Sequence, residues 1–134
     1  MRFLVDTNAW IHCLKTPNSI VAGRVAVTPA SEITVCSIVW AELLHGARKY
    51  ANQSRREKLV YETLAPYRSL PFDDDAARKY ARIRDQLETR GEVIGLNDLL
   101  IASIALVHDL TVITNNVGEF RRVDGLRCED WSVV

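Results

Sequence analysis

An α/β fold, a central and mostly parallel sheet flanked by helices on both faces, is what this sequence predicts, and three observations carry that reading. Short apolar runs alternate with longer stretches whose apolar residues recur every three or four positions. The segment Leu99 to Val107 is almost uniformly apolar, so the helix it forms must be buried on every side. The chain has 134 residues, 48% of them hydrophobic, which is enough for one core and a single domain over 1–134. Strands separated by helices pair in parallel through right-handed crossovers, and in such open sheets ligands sit beyond the carboxyl ends of the strands.

In chain order, Met1 to Val5 is a short apolar strand ending at Asp6, and Ala9 to Leu14 is a helix broken by Pro17 and Asn18. Ser19 to Val27 is a second short helix, and Pro29 to Glu32 is a loop leading into the strand Ile33 to Cys36. Ser37 is read as the N-cap of a helix to about Tyr50, with Trp40, Leu43, Leu44 and Ala47 as its apolar stripe. Another helix covers Ser54 to Ala65, Pro66 stops it, and Arg68 to Phe72 is a short strand. Asp73, Asp74 and Asp75 resemble a metal cluster. They immediately precede a helix marked by Ala76, Tyr80, Ile83 and Leu87, so capping and dipole compensation explain them better. Gly91 ends that helix and Gly95 makes a turn before the buried helix. A strand Leu110 to Thr114, a polar turn at Asn115 and Asn116, a short helical piece and a last strand around Leu126 to Glu129 complete the chain.

Composition narrows the function classes. Seventeen basic residues balance seventeen acidic ones, so any grip on nucleic acid is local rather than a strong overall positive field. No stretch approaches the ~20 apolar residues of a membrane span, and the start lacks a secretory pattern, so a cytoplasmic location is expected. Cys13, Cys36 and Cys128 are far apart and form neither a disulfide framework nor a zinc pattern. His12, His45 and His108 do not fall at metal-ligand spacing, and phosphate-loop and dinucleotide signatures are absent.

Three carboxylates stand out by position. Asp6 lies between an apolar strand and an apolar helix, where it is either an N-cap or an ionised group that needs a partner. Glu42 lies about 200° around its helix from Trp40 and Leu44, as an exposed face or a site residue would. Asp98 stands at the entrance of the most apolar helix beside Asn97, which can cap it. Convergence of the three at one end of a parallel sheet would call for a hard cation, Mg²⁺ or Mn²⁺, because clustered carboxylates repel one another without it.

The segments Val5-Asp6-Thr7-Asn8, Ser37 to Leu43, Gly95 to Ala102 and Ile113-Thr114-Asn115-Asn116, followed by Glu119-Phe120, resemble in order and spacing the motifs of PIN-domain proteins, especially the VapC-type toxins. The resemblance covers essentially the whole chain, including a tail from Val123 to Trp131. It implies a Mg²⁺-dependent endoribonuclease, the toxin of a toxin–antitoxin pair. Asp6 and Asp98 would hold the metal and Glu42 would complete the acidic pocket. Thr7, Asn8, Ser37 and Thr114 would orient ligands or substrate. The products implied are a 5′-phosphate and a 3′-hydroxyl. The implied partners are structured tRNA or ribosomal RNA, a small antitoxin that wraps the toxin, and a second copy in a homodimer or hetero-oligomer. One position departs from the pattern, since many members carry a fourth acid where this chain has Asn116. Either Asn116 positions a water or ligand as a neutral amide, or Glu119, one helical turn on, supplies the charge.

Two rival readings fit part of the pattern. A haloacid-dehalogenase-like phosphatase also places an Asp after its first strand, but needs a second Asp where this chain has Asn8. A PIN-like module that binds RNA or a partner without turnover is the other.

Overall fold

The computed structural model describes residues 1–134. Five parallel strands form one sheet in the order β3-β2-β1-β4-β5: β1 (Phe3–Val5), β2 (Ile33–Cys36), β3 (Arg68–Leu70), β4 (Thr111–Ile113) and β5 (Cys128–Glu129). Seven helices connect them: α1 (Thr7–Lys15), α2 (Ile20–Val27), α3 (Ser37–Ala47), α4 (Gln53–Leu64), α5 (Asp74–Arg90), α6 (Leu96–Val107) and α7 (Val117–Phe120). Every residue of β1, β2 and β4 is buried. Successive strand residues point to opposite faces, so helices must cover both sides of the sheet centre.

The central strands are registered so that their carboxyl ends finish together. Val5 pairs with Ile113, and the Asp6 N–H donates to the Ile113 carbonyl at 2.9 Å. β2 lies on the other side of β1, with Phe3 opposite Ile33. The starts of α1, α3 and the turn after β4 therefore share the carboxyl end of the sheet. Helix α6 supplies much of the core, with Leu99, Ile101, Ala102, Ile104 and Ala105 all buried. It packs along α5, whose Ala76, Ile83 and Leu87 make the facing stripe.

Several boundaries differ from the sequence reading, each for a local reason. Ser37 is not a cap: Cys36 occupies that position, the helix begins at Ser37, and the Ser37 hydroxyl accepts from the Phe72 N–H at 3.1 Å. Helix α3 stops at Ala47 rather than near Tyr50. Its buried stripe is Val39, Leu43 and Ala47, whereas Trp40 is half-buried and stacks at a tilt on Tyr61 at 5.3 Å. Helix α6 begins at Leu96, three residues before its apolar run, with Gly95 and not Asn97 at the N-cap. The loop before β2 contains a 3-10 turn, Ala30–Glu32.

The acidic run behaves as expected. Asp73 caps α5, its Oδ1 accepting from the Ala76 N–H at 3.0 Å, and Asp74 and Asp75 occupy the first turn. Gly91 ends the helix at φ 68°, a left-handed conformation that costs a residue with a Cβ about 1 kcal/mol. All three cysteines are free, and no helix is long and apolar enough to cross a membrane.

Candidate active site

Asp6 follows β1 directly and is only 2% exposed. It is both things the sequence allowed. As the N-cap of α1 its Oδ1 accepts from the Ala9 N–H at 2.9 Å. Its carboxyl also bonds the Thr114 side chain from the end of β4 and feels the charges of Asp98 and Glu42. Burial pushes its pKa up to about 6, the two neighbouring carboxylates add to the rise, and the Thr114 and Ala9 hydrogen bonds oppose it.

Asp98 sits half-buried in the first turn of α6. Its titration is also raised, by burial first and then by Glu119 and Glu42, against a hydrogen bond from Asn116. Glu42 lies about 100° around α3 from buried Leu43, on the border of the core stripe rather than opposite it. There Thr7 Oγ1 donates to Oε1 at 2.5 Å, and Asn97 Nδ2 donates to Oε2 at 3.1 Å. A charge beside a core is tolerated when donors meet it.

The position where a fourth acid is common holds a bridge. The Asn116 side-chain amide donates to Asp98 Oδ2 at 3.2 Å and to Glu119 Oε2, while its backbone N–H donates to Thr114 Oγ1 at 2.9 Å. Glu119 Oε1 accepts from the Gly95 N–H at 3.2 Å. Asn116 thus links two acids without adding charge, and Glu119 reaches the site from α7. The remaining predicted residues are less central. Thr7 is buried against Glu42, and Asn8 is exposed in a shallow cleft with His12 and Asn115. Ser37 is tied to the Phe72 backbone instead of to an acid. Asn97 is the residue the sequence reading missed, because at a helix start an Asn reads first as a cap.

An all-oxygen set with mutually raised carboxyls is the chemistry a hard divalent cation satisfies. As the side chains stand, no three of them enclose a metal position. They meet through their fields: Asp6 feels Asp98 and Glu42, Asp98 feels Glu119 and Glu42, and neutral donors hold Glu42 and Glu119. A cation entering between Asp6 and Asp98 would offset the carboxylate repulsion that adds to the rise burial causes in each.

Beside Glu42, α1, α3 and α4 enclose an apolar groove floored by Ile11, Leu14, Leu43 and Val60, with Lys15 and Arg56 among its lining residues.

The family model described as PIN domain matches residues 3–126. The chain belongs to the PIN-domain family. It is 33% identical over 132 residues to ribonuclease VapC2 of Rickettsia felis, covering 98% of each chain. It is also 33% identical over 131 residues to the tRNA(fMet)-specific endonuclease VapC of Salmonella typhimurium, again covering 98% of each. Among solved structures, DNA-bound VapBC from Salmonella typhimurium superposes with a TM-score of 0.92 at 33% identity over 98% of both chains. VapBC2 of Rickettsia felis, bound to a DNA fragment from its promoter, gives 0.89 at 29% identity over 98% of this chain and 99% of that one. This PIN domain is therefore a nuclease of the VapC ribonuclease type, and the phosphatase alternative is overturned.

Proposed function

We propose that this PIN-domain protein is a Mg²⁺-dependent endoribonuclease and the toxin of a toxin–antitoxin pair, cutting structured RNA of the tRNA or ribosomal class in the cytoplasm. What supports the reading is that Asp6, following β1, lies beyond the carboxyl end of a central strand within the electrostatic reach of Asp98 and Glu42. Asp6 and Asp98 are the residues that hold the ion, with Glu42 completing the pocket and Glu119 supplying the fourth charge through the Asn116 bridge. Mn²⁺ substitutes. An ion held there would supply Lewis-acid chemistry, the activation of a water and the offsetting of charge on the phosphate.

The chain's own residues supply placement. The start of α1 holds one Asp6 oxygen through the Ala9 N–H, and Thr114 adds a hydrogen bond to the carboxyl. Thr7 and Asn97 hold Glu42, and Asn116 holds Asp98. Hydrolysis adds water across one P–O bond and leaves a 5′-phosphate and a 3′-hydroxyl. Zero net charge favours shape-dependent engagement of a folded RNA over general binding. Two relatives are named for action on tRNA(fMet), which supports the tRNA class.

For a partner, several structural relatives are VapBC assemblies, and the groove beside Glu42 has the apolar floor and basic residues suited to an amphipathic antitoxin segment. Such a segment would reach the acidic pocket from the groove.

The test is cleavage of total bacterial RNA by the purified protein and its Asp6→Asn and Asp98→Asn variants, with Mg²⁺, Mn²⁺ or EDTA, and with product ends sequenced. Metal-dependent cutting lost in both variants is expected. Equal cutting by all three proteins would reject the site, and metal binding with no cutting of any RNA would replace the enzyme by a binding module.

A further inference from the structure

Glu42 is gripped from two sides. Thr7 Oγ1 reaches it from the first turn of α1 at 2.5 Å, and Asn97 Nδ2 from the first turn of α6 at 3.1 Å. The donors lie 35 and 55 residues away in sequence, so only the assembled fold brings them to one carboxylate. Each is also the chain neighbour of a principal acid: Thr7 follows Asp6, and Asn97 precedes Asp98. Whatever moves Asp6 or Asp98 therefore moves a donor to Glu42.

Asn97 has no other visible task. It is exposed, it does not cap α6, whose N-cap is Gly95 with no side-chain bond, and its amide goes to Glu42. An unrestrained Glu side chain has many rotamers, and most would carry its charge away from the Asp6–Asp98 pair. Thr7 and Asn97 are neutral donors, so they fix the carboxylate without cancelling its charge as Lys or Arg would.

We propose that Asn97, acting with Thr7, is a positioning residue that registers the Glu42 carboxylate to the Asp6–Asp98 pair. Its consequence for turnover rests on the nuclease reading above; its consequence for cation binding does not.

A double-mutant cycle on the full chain tests it, using wild type, Asn97→Ala, Glu42→Ala and the double variant. Two readouts are taken: Mn²⁺ affinity by calorimetry, and cleavage of total bacterial RNA. Asn97→Ala is expected to lower kcat about five- to tenfold with KM unchanged, the loss of one hydrogen bond to a charged but partly solvated group. Mn²⁺ affinity should weaken about twofold to threefold, with the melting temperature nearly unchanged. In the Glu42→Ala background, Asn97→Ala should add nothing to either readout. Asn97→Asp, which keeps the shape but replaces the donor by a like charge, should lower kcat further than Ala. An undiminished Asn97→Ala effect without Glu42, or no effect of Asn97→Ala on either readout with Glu42 present, would overturn the proposal. If the wild type cuts no RNA the nuclease reading fails, and the Mn²⁺ cycle still decides the positioning role.

Discussion

Replacing Asp6 by Asn is expected to abolish cleavage while making the metal-free protein more stable at neutral pH. The carboxyl titrates at about 6 in the fold against an ordinary 3.8, chiefly because burial disfavours its charge. Between those two values the folded protein keeps a proton that the unfolded chain has released. Stability therefore falls as pH rises through that window and stays lowered above it. A rise of that size corresponds to about 3 kcal/mol of destabilisation at pH 7.5, at 1.36 kcal/mol for each pH unit. Asn is neutral, nearly isosteric and itself a good N-cap, so the bond from the Ala9 N–H survives the change. For a chain of this size the gain amounts to about 10 °C in melting temperature. The assay is thermal unfolding followed by circular dichroism in EDTA from pH 4 to 8, comparing variant with wild type so that other titrating groups cancel. The two should nearly coincide near pH 4, diverge as pH rises toward 6 and stay apart above it, and adding Mn²⁺ should raise the wild type alone. A variant that melts at or below the wild type at pH 7.5, or a difference independent of pH, would refute the reasoning.

Asn116→Asp would put a third carboxylate between Asp98 and Glu119 in place of the bridging amide. The metal-free protein should lose about 1–3 kcal/mol, read as a lower urea midpoint, and Mn²⁺ should restore most of it. Asp73→Ala removes the side-chain cap of α5 and should cost about 1 kcal/mol in urea unfolding without changing cleavage. Leu59→Glu places a charge on the groove at an exposed apolar position, 37% exposed. It should weaken binding of the co-expressed antitoxin at least about tenfold in a calorimetric titration while RNA cleavage persists.

Two of the candidate acids were legible because each sits at a point of punctuation. Asp6 ends an apolar strand and Asp98 opens an apolar helix, positions where a charge needs a reason. Glu42 was less legible. The apolar letters of α3 make Trp40 and Leu44 look like the core face, and from them Glu42 points outward. Val39, Leu43 and Ala47 are the residues actually buried, and Glu42 borders that stripe. Periodicity finds a helix; which of two adjoining apolar stripes faces inward depends on what packs against it. Ser37 shows the reverse error, since a Ser after a strand reads as a cap whereas here Phe72 claims its hydroxyl.

The alternation of strand and helix, the burial of α6 and the capping role of Asp73 to Asp75 were properties of the sequence alone, because propensity and period act over a few residues. The pairing of Thr7 and Asn97 on Glu42, the use of Asn116 as a neutral bridge to Glu119, and the raised titration of Asp6 were decided by tertiary structure. They depend on distances between side chains as much as 55 residues apart and on how much water the closed sheet edge excludes, and local pattern encodes neither.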